Sequence, residues 1–265
     1  MKKNFPVEFV YQVFALIAAI IVVHAIYVTL VRPKAAAILA EQAVRIEAEK
    51  NYTPERSVYV LVRDFEQEAC FVLALWAFSI MGFKAWQSLG ERRLLDAGLV
   101  PIKDGLRILP DDTRQYARNL QALPDELRTK LLPRVMLAAL ERFGSTRNVQ
   151  DVSSVANTLC EGEGERLESE LSMIRYIAWA IPSVGFIGTV RGIGEALGQA
   201  HRAVEGDISG VTESLGVAFN STFIALLISI VVMFLVHQLQ LLQERFVFEA
   251  QTYVDHNLIR HMQAR

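Results

Sequence analysis

Residues 10 to 31, VYQVFALIAAIIVVHAIYVTLV, form one apolar run whose single ionisable residue is His24. A helix of this length reaches about 30 Å at ~1.5 Å per residue, enough to cross the hydrocarbon core of a bilayer. The run is too long for a signal-peptide core, and Arg32, Pro33 and Lys34 follow it where a cleavage site would need small residues. It therefore reads as a retained anchor. ESLGVAFNSTFIALLISIVVMFLVH, residues 213 to 237, makes a second such run. ACFVLALWAFSIMGFKAW, residues 69 to 86, is shorter, but Lys84 can snorkel and Trp86 suits an interface. A fourth segment extends from Met173 through IPSVGFIGTVRGIGEAL at residues 181 to 197. With 52% hydrophobic and only 21% charged residues over 265 positions, the composition agrees with a membrane protein.

These runs imply an all-α, polytopic inner-membrane protein with four transmembrane helices and long cytoplasmic helical extensions. The expected order is an N-tail (1–9), helix 1 (10–31), a periplasmic helical loop (32–68), helix 2 (69–88), a cytoplasmic helical region (89–172), helix 3 (173–199), a periplasmic loop (200–212), helix 4 (213–237) and a cytoplasmic C-terminal helix (238–265). The loop 32–68 is an amphipathic helix pattern broken near Asn51 and Pro54. Pro101, Pro110, Pro124, Pro133 and Gly144 divide the large polar region into short helices. No proline follows between Val149 and Pro182, so one long helix is expected to run into the third span. Lys2, Lys3, Arg92, Arg93 and the basic residues after His237 put both termini in the cytoplasm. The first loop, with six basic and seven acidic residues, weakens that bias.

The net charge of -2 and the lack of any basic stripe argue against a nucleic-acid partner. Cys70 and Cys160 stand apart with no CxxC spacing and no nearby histidine cluster, which excludes a disulfide framework or zinc site, and no cofactor or metal is expected. One enzymatic reading must be weighed. Gly188, Gly192 and Gly194 have the GxxxGxG spacing of a short-chain dehydrogenase's dinucleotide loop. Such a loop must follow a buried strand inside a βαβ pattern with most of the domain still to come. Here only about 70 residues follow, most of them a hydrophobic span, and no tyrosine is followed four residues later by lysine. The chain is not read as an enzyme.

Read as a helix, Ala178, Pro182, Gly185, Thr189, Gly192 and Ala196 recur at steps of three and four and form a stripe of small residues. Ser214, Ala218, Thr222, Ala225 and Ser229 repeat the device in the fourth span. Small side chains let membrane helices approach closely. The stripes have too little bulk to pack tightly within one subunit, so they are expected to face the axis of a cyclic oligomer; packing of the subunit against itself is the plainer alternative.

IPSVGFIGTVRGIGEAL resembles the most characteristic block of the MotA/TolQ/ExbB proton-channel family, in which a proline-containing lead-in reaches a G-x-x-G-T-V-x-G-I core. GVAFNSTFIALLISIVV is similar to that family's last span and GERLESELSMIRYIA to its lead-in to the penultimate one, so the likeness covers roughly residues 160 to 238. The resemblance implies a pentamer around the paired transmembrane helices of a MotB/TolR/ExbD-like single-span partner whose aspartate carries the proton, with sodium as the alternative ion. It also implies that Thr189 and Thr222 line the ion path. A threonine hydroxyl both donates and accepts, so a ring of them can hold water beside a partner carboxylate. No span offers a central Asp or Glu, consistent with a titrating group supplied by the partner. The alternative function is a passive scaffold of an envelope complex. Arg191 departs from the apolar or aromatic residue usual after the Thr-Val pair; it stands about 200° around the helix from Thr189, with Glu195 one turn on as its expected structural ion-pair partner. His24 is either a neutral, hydrogen-bonded packing residue or an intramembrane relay.

Overall fold

The computed structural model describes residues 7–48, 57–100 and 107–263. Lys2, Lys3, Asn51, Pro54 and Pro101, to which the sequence assigned charge bias or helix breaks, lie outside them. The described residues form eleven α-helices and no strand: α1 (Val7–Ile26), α2 (Arg32–Ala48), α3 (Val58–Leu61), α4 (Phe65–Arg92), α5 (Thr113–Gln121), α6 (Asp125–Arg128), α7 (Leu131–Thr146), α8 (Val149–Glu170), α9 (Ser172–Gly198), α10 (Ala200–Val204) and α11 (Ser209–Asn257). Four helical stretches, Glu8–Ile46, Phe65–Asp96, Val149–Gly198 and Ser209–His261, are long and apolar enough to cross a membrane. The chain is a multi-pass, all-α membrane protein.

It divides into two compact units, Met1–Met81 with Met173–Val236, and Gly82–Ser172 with His237–Arg265. In the first, small residues lie inside and large ones outside. Ala19, Ala74, Ala77, Ala178, Ala218 and Ala225 are buried, whereas Phe14 (74% exposed), Phe186 (63%) and Phe219 (68%) project outward. A protein surrounded by water would reverse that order, because burying a large apolar side chain is the main gain of folding there. In lipid the outer shell is as apolar as the side chains, and close backbone approach decides the interior instead.

The second unit has the interior of a water-soluble helical domain: Leu120, Leu131, Leu132, Met136, Leu140 and Phe143 pack with Val152, Ala156, Cys160, Phe246 and Val254. The prolines act as expected at helix starts. Pro110 opens a short 3-10 turn, Pro124 precedes α6, and Pro133 sits in the first turn of α7, where its missing N–H has no helical partner to lose. Gly144 departs from expectation, since α7 runs through it to Thr146 and ends on Arg147 in the left-handed conformation. A Cβ at Gly144 would lie 2.7 Å from the Thr113 Oγ1, so this glycine serves close approach rather than helix termination. Between α8 and α9 the expected continuous helix is interrupted by a turn at Leu171 alone.

Candidate functional site: the α9–α11 seam and the first turn of α4

All residues of the site belong to the first unit. Along α9, Ala178, Ile181, Gly185, Gly188, Gly192 and Ala196 repeat every three or four positions and form its buried face. The matching face of α11 carries Ser214, Ala218, Ser221 and Ala225, all buried. The two faces close on each other. A Cβ at Gly185 would collide with that of Ala225, at Gly188 it would lie 2.6 Å from the Ser221 Cβ, and at Gly192 it would lie 2.7 Å from the Ser214 carbonyl oxygen and 2.8 Å from the Ala218 nitrogen. Within the chain, Ala178, Gly185, Gly192, Ser214, Ala218 and Ala225, expected to face an oligomer axis, pack α9 against α11. Complementary small residues bring the two backbones together within one chain, so lack of bulk produces the contact instead of preventing it.

Pro182 is half-buried inside α9 and has no N–H to give the Ala178 carbonyl one turn earlier. The Ser229 hydroxyl on α11 donates to that carbonyl at 3.1 Å. In a bilayer no water stands by to satisfy it, so a side chain from the neighbouring helix does so.

Thr189 and Thr222 meet at the half-buried edge of the seam. The Thr189 hydroxyl lies 3.0 Å from the Ala218 carbonyl and that of Thr222 3.2 Å from the Gly185 carbonyl, and the two hydroxyls are within hydrogen-bond reach of each other, so at least one donates to a carbonyl while the other has the choice of its own carbonyl or its neighbour. Each oxygen retains acceptor capacity, and each proton has more than one acceptor in reach. The pair can therefore change its donor pattern without moving a helix.

The first turn of α4 adds three residues that sequence reasoning missed. Successive helical side chains point ~100° apart, and Glu66, Gln67 and Glu68 each reach a different neighbour. Glu66 takes a two-pronged contact from Arg191 on α9, with Nε at 2.7 Å and Nη2 at 2.9 Å, while Arg191 Nη1 donates to Glu195 at 2.8 Å. Gln67, fully buried, donates to the Ser221 hydroxyl on α11 at 3.5 Å. Glu68, also buried, lies 2.7 Å from His24 Nδ1 and accepts from Arg32. The second span was expected to open at Ala69, which leaves these residues in the loop. The cluster of acids just before an apolar run, in FEQEAC, is the helix-start signal that could have found them.

His24 is hydrogen-bonded but not packed away, since its side chain is 59% exposed. Eight α-helical steps would set Arg32 about 80° away from His24 around the axis. The five residues Tyr27–Val31 are instead a π-helix, whose wider turn takes up most of that angle and lets both side chains reach one carboxylate. Among the described residues no group of three His, Cys, Asp or Glu side chains could hold a metal ion.

Residues 128–252, which include both threonines and all of α8, α9 and α10, match the model of the MotA/TolQ/ExbB proton channel family. Over that stretch, just under half of its length, the chain is similar to this family. No curated protein and no solved structure matched it. The match supports a proton-channel subunit of an energy-transducing complex. The seam described here lies wholly inside the matched region, whereas Glu66, Gln67, Glu68 and His24 lie outside it.

Proposed function

We propose that the chain is the stator-type channel subunit of an ion-motive-force-driven motor in a bacterial inner membrane, with both termini cytoplasmic. Five copies surround a dimer of a MotB/TolR/ExbD-like partner, and protons pass between the partner's intramembrane aspartate and the Thr189–Thr222 pairs. The observation that carries this reading is the hydroxyl pair itself: two titration-free groups at the half-buried edge of a small-residue seam, each able to donate and accept. Such a pair relays or solvates a proton without holding it, which leaves the partner's carboxylate as the group that is loaded and released. One charge falling through 100 mV releases about 2.3 kcal/mol, enough to bias a small rotational step.

Replacing both threonines with valine tests the reading. Valine keeps the shape and removes the hydroxyls. Proton flux and the energised process should fail in the double variant while the complex still assembles, and Thr189→Ser with Thr222→Ser should restore part of the activity. Full function in the double valine variant, with the partner present, would favour a passive scaffold.

A further inference from the structure

Arg191 places a permanent positive charge two residues from Thr189 on the same helix. Its side chain is 38% exposed and three of its nitrogens are used: Nε and Nη2 on Glu66, Nη1 on Glu195. Glu66 is the more constrained partner, with its side chain only 11% exposed. A Cβ at Gly188 would lie 3.1 Å from the Glu66 Cγ, so this carboxylate rests on the seam one residue before Thr189. Glu195 is 46% exposed and belongs to the same helix as the arginine, so it follows Arg191 wherever that side chain goes. Among the described residues, Glu66 is the hydrogen-bonded partner that ties the guanidinium to another element.

We propose that Glu66 is a positioning residue for the ion path: it shares with Glu195 the offsetting of the Arg191 charge and anchors that guanidinium to α4, so that the arginine does not swing toward a cation approaching the Thr189–Thr222 pair. This rests on the reading of the chain as a proton-conducting subunit. The arginine in turn fixes the first turn of α4 against α9, alongside the Gln67–Ser221 contact. An ion-pair clamp alone would make both partners equally necessary. A neutralising carboxylate makes a different demand, because the arginine is harmful once its partner is gone and dispensable once both are gone.

The test is proton flux in vesicles holding the chain with its partner subunit, read with a trapped pH indicator after an imposed membrane potential. Glu66→Gln should lower flux severalfold and at most about tenfold, the limit set by one full charge ~10 Å away at an effective dielectric constant of about 20, because Glu195 still offsets part of the released charge. Raising the salt concentration should reduce the loss, as screening requires. Glu66→Gln combined with Arg191→Gln should recover flux to near the unaltered level, and Arg191→Gln alone should conduct normally. A double variant as impaired as Glu66→Gln, or a loss of flux in Arg191→Gln alone, would overturn the proposal in favour of a purely structural clamp. If Glu66→Gln does not accumulate, the Arg191→Gln result decides the matter by itself. Absence of flux in the unaltered complex would instead count against the channel reading, and the two failures are thus told apart.

Discussion

Gly192 on α9 lies against Ala218 on α11 with no room for a methyl group between them: a Cβ on the glycine would come within 2.8 Å of both the Ala218 Cβ and its backbone nitrogen. The nearest obstacles include backbone, which cannot rotate aside. Gly192→Ala should therefore force the helices apart and destabilise the protein by about 1–3 kcal/mol. A Cβ at Gly194, two residues on, would have nothing within 4 Å, so Gly194→Ala should be neutral or slightly stabilising through helix propensity. Thermal unfolding of the purified chain in detergent would compare the two. Equal effects would show that the seam is looser than described.

Much of this fold is legible in the residues. The four apolar runs, the extension of the last span into a long amphipathic helix, and the proline-punctuated polar region all follow from hydropathy and helix punctuation, because those signals are local. The small-residue stripes were legible as faces but not as partners. Periodicity says which residues share a side of a helix, and it is silent on whether that side meets a second copy or the next helix of the same chain. The pairing of Glu66 with Arg191 joins positions 125 apart, and that of Glu68 with His24 joins positions 44 apart, so neither has any local signature.

The Ser229 hydroxyl and the Ala178 carbonyl give a second test of the seam. Ser229→Ala leaves an acceptor beside Pro182 with neither a helical donor nor water, a loss of about 1–3 kcal/mol. Ser229→Thr keeps the hydroxyl and should retain most of the stability. Pro182→Ala restores a helical N–H to Ala178, so in that background Ser229→Ala should cost much less. A double-variant cycle measured by thermal unfolding would register this coupling, and strict additivity would rule it out.

Topology is open to thiol labelling because the two native cysteines are buried. Burial pushes the Cys160 thiol up to about 11, so it stays protonated and unreactive near neutral pH. In the folded protein Cys160 and Cys70 should react with a thiol reagent only after denaturation. Against that background, Glu205→Cys and Asp111→Cys, both at exposed positions, report the two sides of the membrane. An impermeant reagent added outside intact cells should label the first and not the second. The reverse result would invert the orientation.

Glu163 gives the second unit a pH dependence of definite sign. It is 4% exposed on α8 and accepts from Arg134 at 2.8 Å and from Arg166. Burial works against its charged form, but the hydrogen bonds from Arg166 and Arg134 outweigh that and hold the carboxyl below its ordinary value of 4.5. A depressed pKa means that the folded state prefers the ionised group, so the stabilisation is complete above the ordinary glutamate range and is lost as pH falls through the folded value. Protection of the α8 amides against hydrogen exchange, corrected for the intrinsic pH dependence of exchange, should therefore be level near pH 7 and decline on acidification below about 4.5. Glu163→Gln should lower that protection at neutral pH by about 1–3 kcal/mol, since both arginines are half-exposed and water can solvate them once the carboxylate is gone. The variant should also lose much of the acid-dependent decline. If its protection falls as steeply with acid as that of the unaltered chain, the titrating group lies elsewhere in the unit.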